Sequence, residues 1–255
     1  MGSIVQFDLA WAAATVLLWT RLGVLLALSP MAQAVKAPPV FWVLFTLVLA
    51  GTLCGALGLR ATVPAGLGGM ALQMLSEAAL GALLGLSLHA AFAVLQVAGR
   101  LLDLQMGFGM ATVLDPVTRA NAPMVGVALT MLALSVFFGV DGHQALLRGI
   151  VQTTQWVPPG AAWQLPSAMQ LASVAGVMFS LAIVVMAPAL FVLLLAEVAL
   201  DVMSRVLPQM NVMFVGIPIK VFAGVGTLAI AAPGMAPVLR KVYASVFLFW
   251  QEVAR

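Results

Sequence analysis

Few side chains in this sequence have both the type and the spacing to do chemistry, and each group argues for structure before catalysis. The two histidines, His89 and His143, stand far apart and share no metal-ligand spacing with Cys54 or with the carboxylates. There is no G-x-S-x-G, no H-E-x-x-H and no phosphate loop ending in Gly-Lys. Gly107-Phe108-Gly109 contains a G-x-G, but without a third glycine or a strand before it the pattern does not make a dinucleotide loop. No catalytic, cofactor-binding or metal-binding set is therefore assigned. What remains is a set of isolated charges. Glu197, Asp201 and Arg205 follow one another at i, i+4, so a helix aligns them on one face, where Asp201 can pair with Arg205 or the row can contact another subunit. Arg100 and Asp103 make a similar i, i+3 couple, while Arg21 and Glu77 have no sequence-local partner and must find one in an assembly or snorkel to an interface.

These charges must be positioned by very apolar elements. Of the 255 residues 64% are hydrophobic and 7% charged, with a mean hydropathy of +1.15; a soluble domain is about 25% charged, so water is not the main solvent of this fold. The net charge is +3, but the basic residues are scattered singly apart from Arg240 and Lys241, which excludes a nucleic-acid patch. Cys54 is the only cysteine and lies in an apolar run, where it reads as a buried small hydrophobe. Ala32-Gln33-Ala34 has the small-x-small form of a signal-peptidase site, but the apolar residues and Asp8 ahead of Arg21 are unlike a basic leader, and cleavage is not expected.

A membrane helix needs about 20 mainly apolar residues to cross a hydrocarbon core of about 30 Å. The runs 37–59, 78–99 and 120–140 carry no charge, and 4–29 and 221–239 are further candidates. The uncharged residues within 149–196 have room for two helices. Pro and Gly punctuate these runs, around 30–39, 64–69 and 158–166. Ser167 and Gln170 have the spacing of a capping box, so a long helix is predicted to start there. Asp115-Pro116 reads as another helix start, Asp141-Gly142-His143 as a turn between helices, and Pro188 as a kink. Gly81 and Gly85 allow close helix approach, either within the chain or between subunits. The fold class predicted from these runs is all-α, built of membrane-embedded helical hairpins.

The residues from Glu77 to Pro116, EAALGALLGLSLHAAFAVLQVAGRLLDLQMGFGMATVLDP, resemble the FliR family of flagellar export-gate proteins. Asp141-Gly142-His143 fits the same family. So does Ser204-Arg205-Val206-Leu207-Pro208-Gln209-Met210-Asn211 followed by Gly216-Ile217-Pro218-Ile219-Lys220, although Met213 interrupts the expected Val-Phe pair. The resemblance implies an export-channel subunit that passes unfolded flagellar proteins across the bacterial inner membrane. Its implied partners are FliP-like and FliQ-like membrane subunits, with FlhB-like and FlhA-like proteins beside them in the flagellar basal body. It also implies a FliP-like portion over residues 1–166 and a FliQ-like hairpin over 167–255. That hairpin is expected to comprise a helix from Ser167, a turn around Pro208 to Pro218 and a helix from Lys220 onwards. The T subunit of virulence type III secretion systems is similar, and a multi-spanning solute transporter using Arg21, Glu197 and Asp201 is the rival from another class.

Two sites follow from the resemblance. Pro208, Gln209, Met210, Asn211, Pro218 and Lys220 would form a loop contacting other subunits. Met106, Gly107, Phe108, Gly109 and Met110 would form an apolar constriction that closes the resting channel. Glycines on both sides of Phe108 loosen the backbone, and methionines close around a gap yet yield to a passing chain. A dry apolar ring can bar ions by dewetting. The residues alone equally allow a hinge with Met106 and Phe108 packed inside; the family likeness, in which this loop projects to the pore, favours the gate.

Overall fold

The structure, a computed structural model, describes residues 8–30, 32, 37–63, 66–108, 123–207 and 211–253. Among them every regular element is a helix: α1 (Leu9–Leu28), α2 (Pro39–Leu57), α3 (Leu67–Met106), α4 (Met124–Gly139), α5 (Gly142–Trp156), α6 (Ala168–Val206) and α7 (Val212–Val253). By length and composition α1, α2, α3, α6 and α7 can each cross a membrane. The pair α4 and α5, counted together as one broken span, makes up to six. At about 1.5 Å per residue the 40-residue α3 exceeds a hydrocarbon core, as do the 39-residue α6 and 42-residue α7.

The chain packs into two compact units. One takes residues Met1–Ala90, His143–Leu171 and Val246–Arg255; the other takes Ala91–Gly142 and Ala172–Ser245. These units are defined by packing, whereas the FliP-like and FliQ-like division concerns likeness to other chains. They answer different questions.

In the first unit α2 packs on α1 through a narrow stripe, Thr46, Ala50 and Cys54, at the i, i+4, i+8 spacing of one helix face. Trp19 Nε1 donates to Thr46 Oγ1 at 3.0 Å across it. The other faces of α2 expose Val40, Phe41, Leu44, Phe45 and Val48, a surface suited to lipid or to other helices and not to water. Gly81 and Gly85 let α3 lie directly on α1: a Cβ at 81 would overlap the Arg21 backbone, and one at 85 would sit 2.8 Å from Leu25 O. These two glycines therefore serve packing within the chain. His89 Nδ1 lies 3.1 Å from Leu28 O, so the ring secures the same pair. Trp250, fully buried, donates from Nε1 to Ser87 Oγ at 2.8 Å.

In the second unit Phe92, Phe137 and Tyr243 form an aromatic cluster with centroids 5.1 to 5.9 Å apart. The Tyr243 hydroxyl donates to Ala133 O at 2.7 Å, which satisfies its one polar group.

Local sequence signals and long-range ones fare differently. Ser167 N–H donates to Gln170 Oε1 at 2.8 Å and Gln170 N–H to Ser167 Oγ at 3.3 Å, the reciprocal box that starts α6. Asp141 takes φ 56° in the turn before α5. Pro188 lies inside an unbroken α6. The hairpin turn is shorter than the spacing of Pro208 and Pro218 suggests, because α7 begins at Val212 and runs through Pro218. A proline removes one donor, which apolar helices tolerate when the neighbouring structure holds the turn. Asp115-Pro116 lies outside the described residues.

Candidate functional site

In the first unit Arg21 and Glu77 meet. Arg21 Nε donates to Glu77 Oε2 at 2.6 Å, and both side chains are almost wholly buried. The guanidinium also donates to Val157 O at 2.9 Å and Thr153 O at 3.5 Å, at the C-terminal end of α5, where the helix dipole favours a cation. Glu77 Oε1 accepts from Gly160 N–H at 2.8 Å. Gly160, at φ 81°, makes the tight return that brings this donor round. The expectation that each charge looks outside the chain is corrected here: 56 residues apart, they are each other's partner. In an apolar interior such a mutual solution avoids two desolvated, unpaired ions.

In the second unit Asp103, buried on α3, does not pair with the exposed Arg100. Its carboxylate accepts from Val125 N–H at 3.0 Å and Gly126 N–H at 3.3 Å, the free donors in the first turn of α4. Pro123 ahead of that turn has no side-chain acceptor, so the cap comes from another helix. Gly99 makes this possible, since a Cβ there would overlap the Gly126 backbone. The same Asp103 accepts Phe108 N–H on its carbonyl at 3.0 Å. One residue thus ties down both ends of the segment between α3 and α4.

The root of that segment is firmly seated. Met106 is fully buried and lies against Gly224 of α7. Gly107, at φ 89°, ends α3 in the left-handed conformation and faces Ile217. Phe108 is half-buried and borders an apolar cleft of about 410 Å³ that includes Met124, Leu132, Val225 and Met235. Gly109 and Met110 lie outside the described residues.

On the hairpin, Glu197 Oε1 and Lys220 Nζ form an ion pair at 3.0 Å that joins α6 to α7. Asp201 and Arg205 are exposed, and no ion pair joins them. The i, i+4 reading is corrected: the first acid of the row reaches across to the next helix, because a partly buried lysine there offers a better-shielded partner than an exposed arginine one turn on. Of the candidate contact loop, Pro208, Gln209 and Met210 lie outside the described residues. Asn211 is exposed just before α7, and Pro218 and Lys220 sit inside that helix. Among the described residues no group of three or more His, Cys, Asp or Glu could hold a metal ion. Sequence reasoning missed the capping role of Asp103 and the seat at Gly224. The signals available were a buried-type acid next to Gly-Phe-Gly, and a glycine with no turn to explain it.

Comparison with known proteins adds to this geometry. A family model described as bacterial export proteins, family 1, matches residues 12–246. The flagellar biosynthetic protein FliR of Bacillus subtilis (strain 168) is 33% identical over 171 residues, 66% of each chain. FliR of Escherichia coli (strain K12) is 30% identical over 169 residues, 66% of this chain and 65% of the other. The secretion system apparatus protein SsaT of Salmonella typhimurium is 26% identical over 159 residues, 62% of this chain and 61% of the other. The chain spans about two thirds of the length of the flagellar relatives it matches.

Proposed function

The chain belongs to the bacterial export proteins, family 1, and on that premise we propose that it is a channel subunit of a flagellar type III export gate. The observation that carries this reading is the family match across nearly the whole chain, 12–246. It is supported by helices whose apolar outer faces need lipid or other helices around them. The subunit is a multi-pass protein of the inner membrane at the flagellar basal body. It acts with FliP-like, FliQ-like, FlhB-like and FlhA-like partners and passes unfolded flagellar proteins without catalysing a reaction. A solute transporter would keep a buried charge ready for its cargo. Here Arg21 and Glu197 are engaged within the chain by Glu77 and Lys220, and Asp201 is exposed on α6, not buried. The two flagellar relatives named above also cover slightly more of the chain, 66% against 62%, than the named virulence relative does, which favours the flagellar system. Deleting the gene in its host should abolish secretion of filament proteins, and the plasmid-borne gene should restore it. Secretion that continues in the deletion strain contradicts the proposal.

Within this reading Phe108, with Gly109 and Met110 beyond it, is the apolar constriction, and Met106 and Gly107 are its root. The packing of Met106 and the apolar cleft beside Phe108 support such a division. Phe108→Ala with Met110→Ala should leave the complex assembled but make the membrane leaky to small ions; assembled, tight and export-competent variants would remove the gate. The segment from Pro208 to Asn211, with the first turns of α7 to Lys220, is the subunit contact. A cysteine at Asn211 should crosslink to a partner loop in the intact complex, and complete absence of crosslinks from positions 209–216 counts against it.

A further inference from the structure

Within the first unit α5 differs from every helix around it, because its outward face is polar. Leu146, Ile150, Thr153 and Thr154 are buried, and Gly149 lies against the buried Trp250 ring. On the opposite side Gln144, Arg148 and Gln152, at i, i+4, i+8, are exposed, with Gln155 beside them. The outward residues of α2 are instead Val40, Phe41, Leu44, Phe45 and Val48. One face suits lipid and the other does not.

The depth of α5 makes this contrast informative. Gly81 meets Arg21, Gly85 meets Leu25 and His89 meets Leu28, so α1 and α3 run parallel and Arg21 shares a level with Gly81. Arg21 lies twelve residues beyond Leu9 in the 20-residue α1. At about 1.5 Å per residue that is roughly 18 Å along a crossing of about 30 Å. The carbonyls of Thr153 and Val157 end α5 at this level, on the Arg21 guanidinium. Gln152 and Gln155 flank Thr153, so they lie within about one turn, ~5.4 Å, of it. The chain then leaves the helix and is held there by Gly160 N–H on Glu77 and by Trp163 Nε1 on Ser76 Oγ at 2.9 Å. Non-helical backbone and a cation at such depth belong inside protein or beside water, not in hydrocarbon. Gln73 Oε1, one turn before Glu77 on α3, is buried without a protein partner among the described residues, an acceptor that water satisfies. Arg148 and Gln152 also border a cleft of about 230 Å³ that reaches Gln251.

We propose that the stripe of Arg148, Gln152 and Gln155, continued by Gln144, lines the aqueous passage and is a surface along which the exported, unfolded polypeptide moves. Every residue of an extended chain presents a backbone N–H and C=O, and side-chain amides both donate and accept, so the stripe can bond a passing chain whatever its sequence. A single guanidinium adds no strong selection by charge. The inference rests on the channel reading and is independent of the constriction at Phe108.

The test uses the full chain, assembled with its partner subunits, in cells arrested with a filament protein fused to a domain that does not unfold. A photo-reactive residue at Gln152 or Gln155 should crosslink to the arrested protein, and one at Leu44 of α2 should not. With Cys54→Ser as background, Gln152→Cys in the assembled complex should react with a membrane-impermeant thiosulfonate at least tenfold faster than Leu44→Cys. Crosslinks from the stripe to another gate subunit alone, or to lipid, overturn the proposal and leave the channel reading standing. So does fast thiol labelling without any crosslink to the arrested chain, since the stripe then faces water away from the passage. If no filament protein is arrested in complexes containing this chain, the channel reading falls and this inference with it.

Discussion

Around Arg21 the first unit uses directional polar bonds: a carboxylate, two carbonyls and a glycine N–H converge on one buried ion pair. Around Met106 the second unit uses shape: a thioether against a bare Cα and an isoleucine against a left-handed glycine. The first arrangement has one good geometry and fails if a member is lost, because the survivors are left charged or unsatisfied in an apolar interior. The second has no direction to its contacts and can slide within limits of volume. In the proposed channel subunit the first arrangement would hold α1, α3 and α5 in register, and the second would seat the root of the segment that follows α3. Asp103 stands at the border of these two styles, a polar cap that anchors an otherwise apolar root.

The largest effect should come from breaking the ion pair. Arg21→Met alone or Glu77→Leu alone should destabilise the protein by about 3–5 kcal/mol and prevent its accumulation in the membrane. The double variant should recover most of the loss. Protein abundance and melting in mild detergent measure this. Singles as stable as the starting protein would mean that the first unit is not held by this pair.

A smaller effect should follow loss of the Asp103 cap. Asp103→Ala leaves two buried N–H groups of α4 without their acceptor and should cost about 1–3 kcal/mol. Asp103→Asn keeps one acceptor and should lose about half as much. If the cap anchors the segment between α3 and α4, the Ala variant should also leak ions while the complex stays assembled. Loss of stability without leak would confine Asp103 to holding the helices.

The smallest effects belong to the hairpin charges. Glu197 and Lys220 are both partly exposed, so Glu197→Lys or Lys220→Glu should cost at most about 1 kcal/mol, with the exchange of both restoring it. Asp201 and Arg205 are exposed and unpaired with each other, so reversing them should leave the melting of the isolated chain unchanged. An effect appearing only in the assembled complex would mark those two as contacts with another subunit.

How much of this was legible in the sequence depends on range. Ser167 with Gln170 and the Asp141 turn are local, governed by groups within three residues, and were legible as motifs. The apolar runs gave the all-helical membrane class because hydropathy needs no knowledge of neighbours. Arg21 and Glu77 were visible as costly charges but not as a pair, since their meeting depends on how α1 crosses α3 at Gly81. Asp103 was misread because i, i+3 spacing on a helix suggests Arg100, whereas the free N–H groups of α4 come from a helix whose approach rests on Gly99 and Gly126. Gly224 stands out in the sequence only as a glycine with no turn to explain it, and its use depends on Met106 landing on it.

The central claim, that this chain is one subunit of a hetero-oligomeric export channel, is tested most directly by purifying it at native expression level in mild detergent and identifying what remains bound by mass spectrometry. The account predicts a stable complex containing two different hydrophobic partner subunits in fixed ratio to this chain. A functional protein that purifies alone, or only with copies of itself, would contradict it.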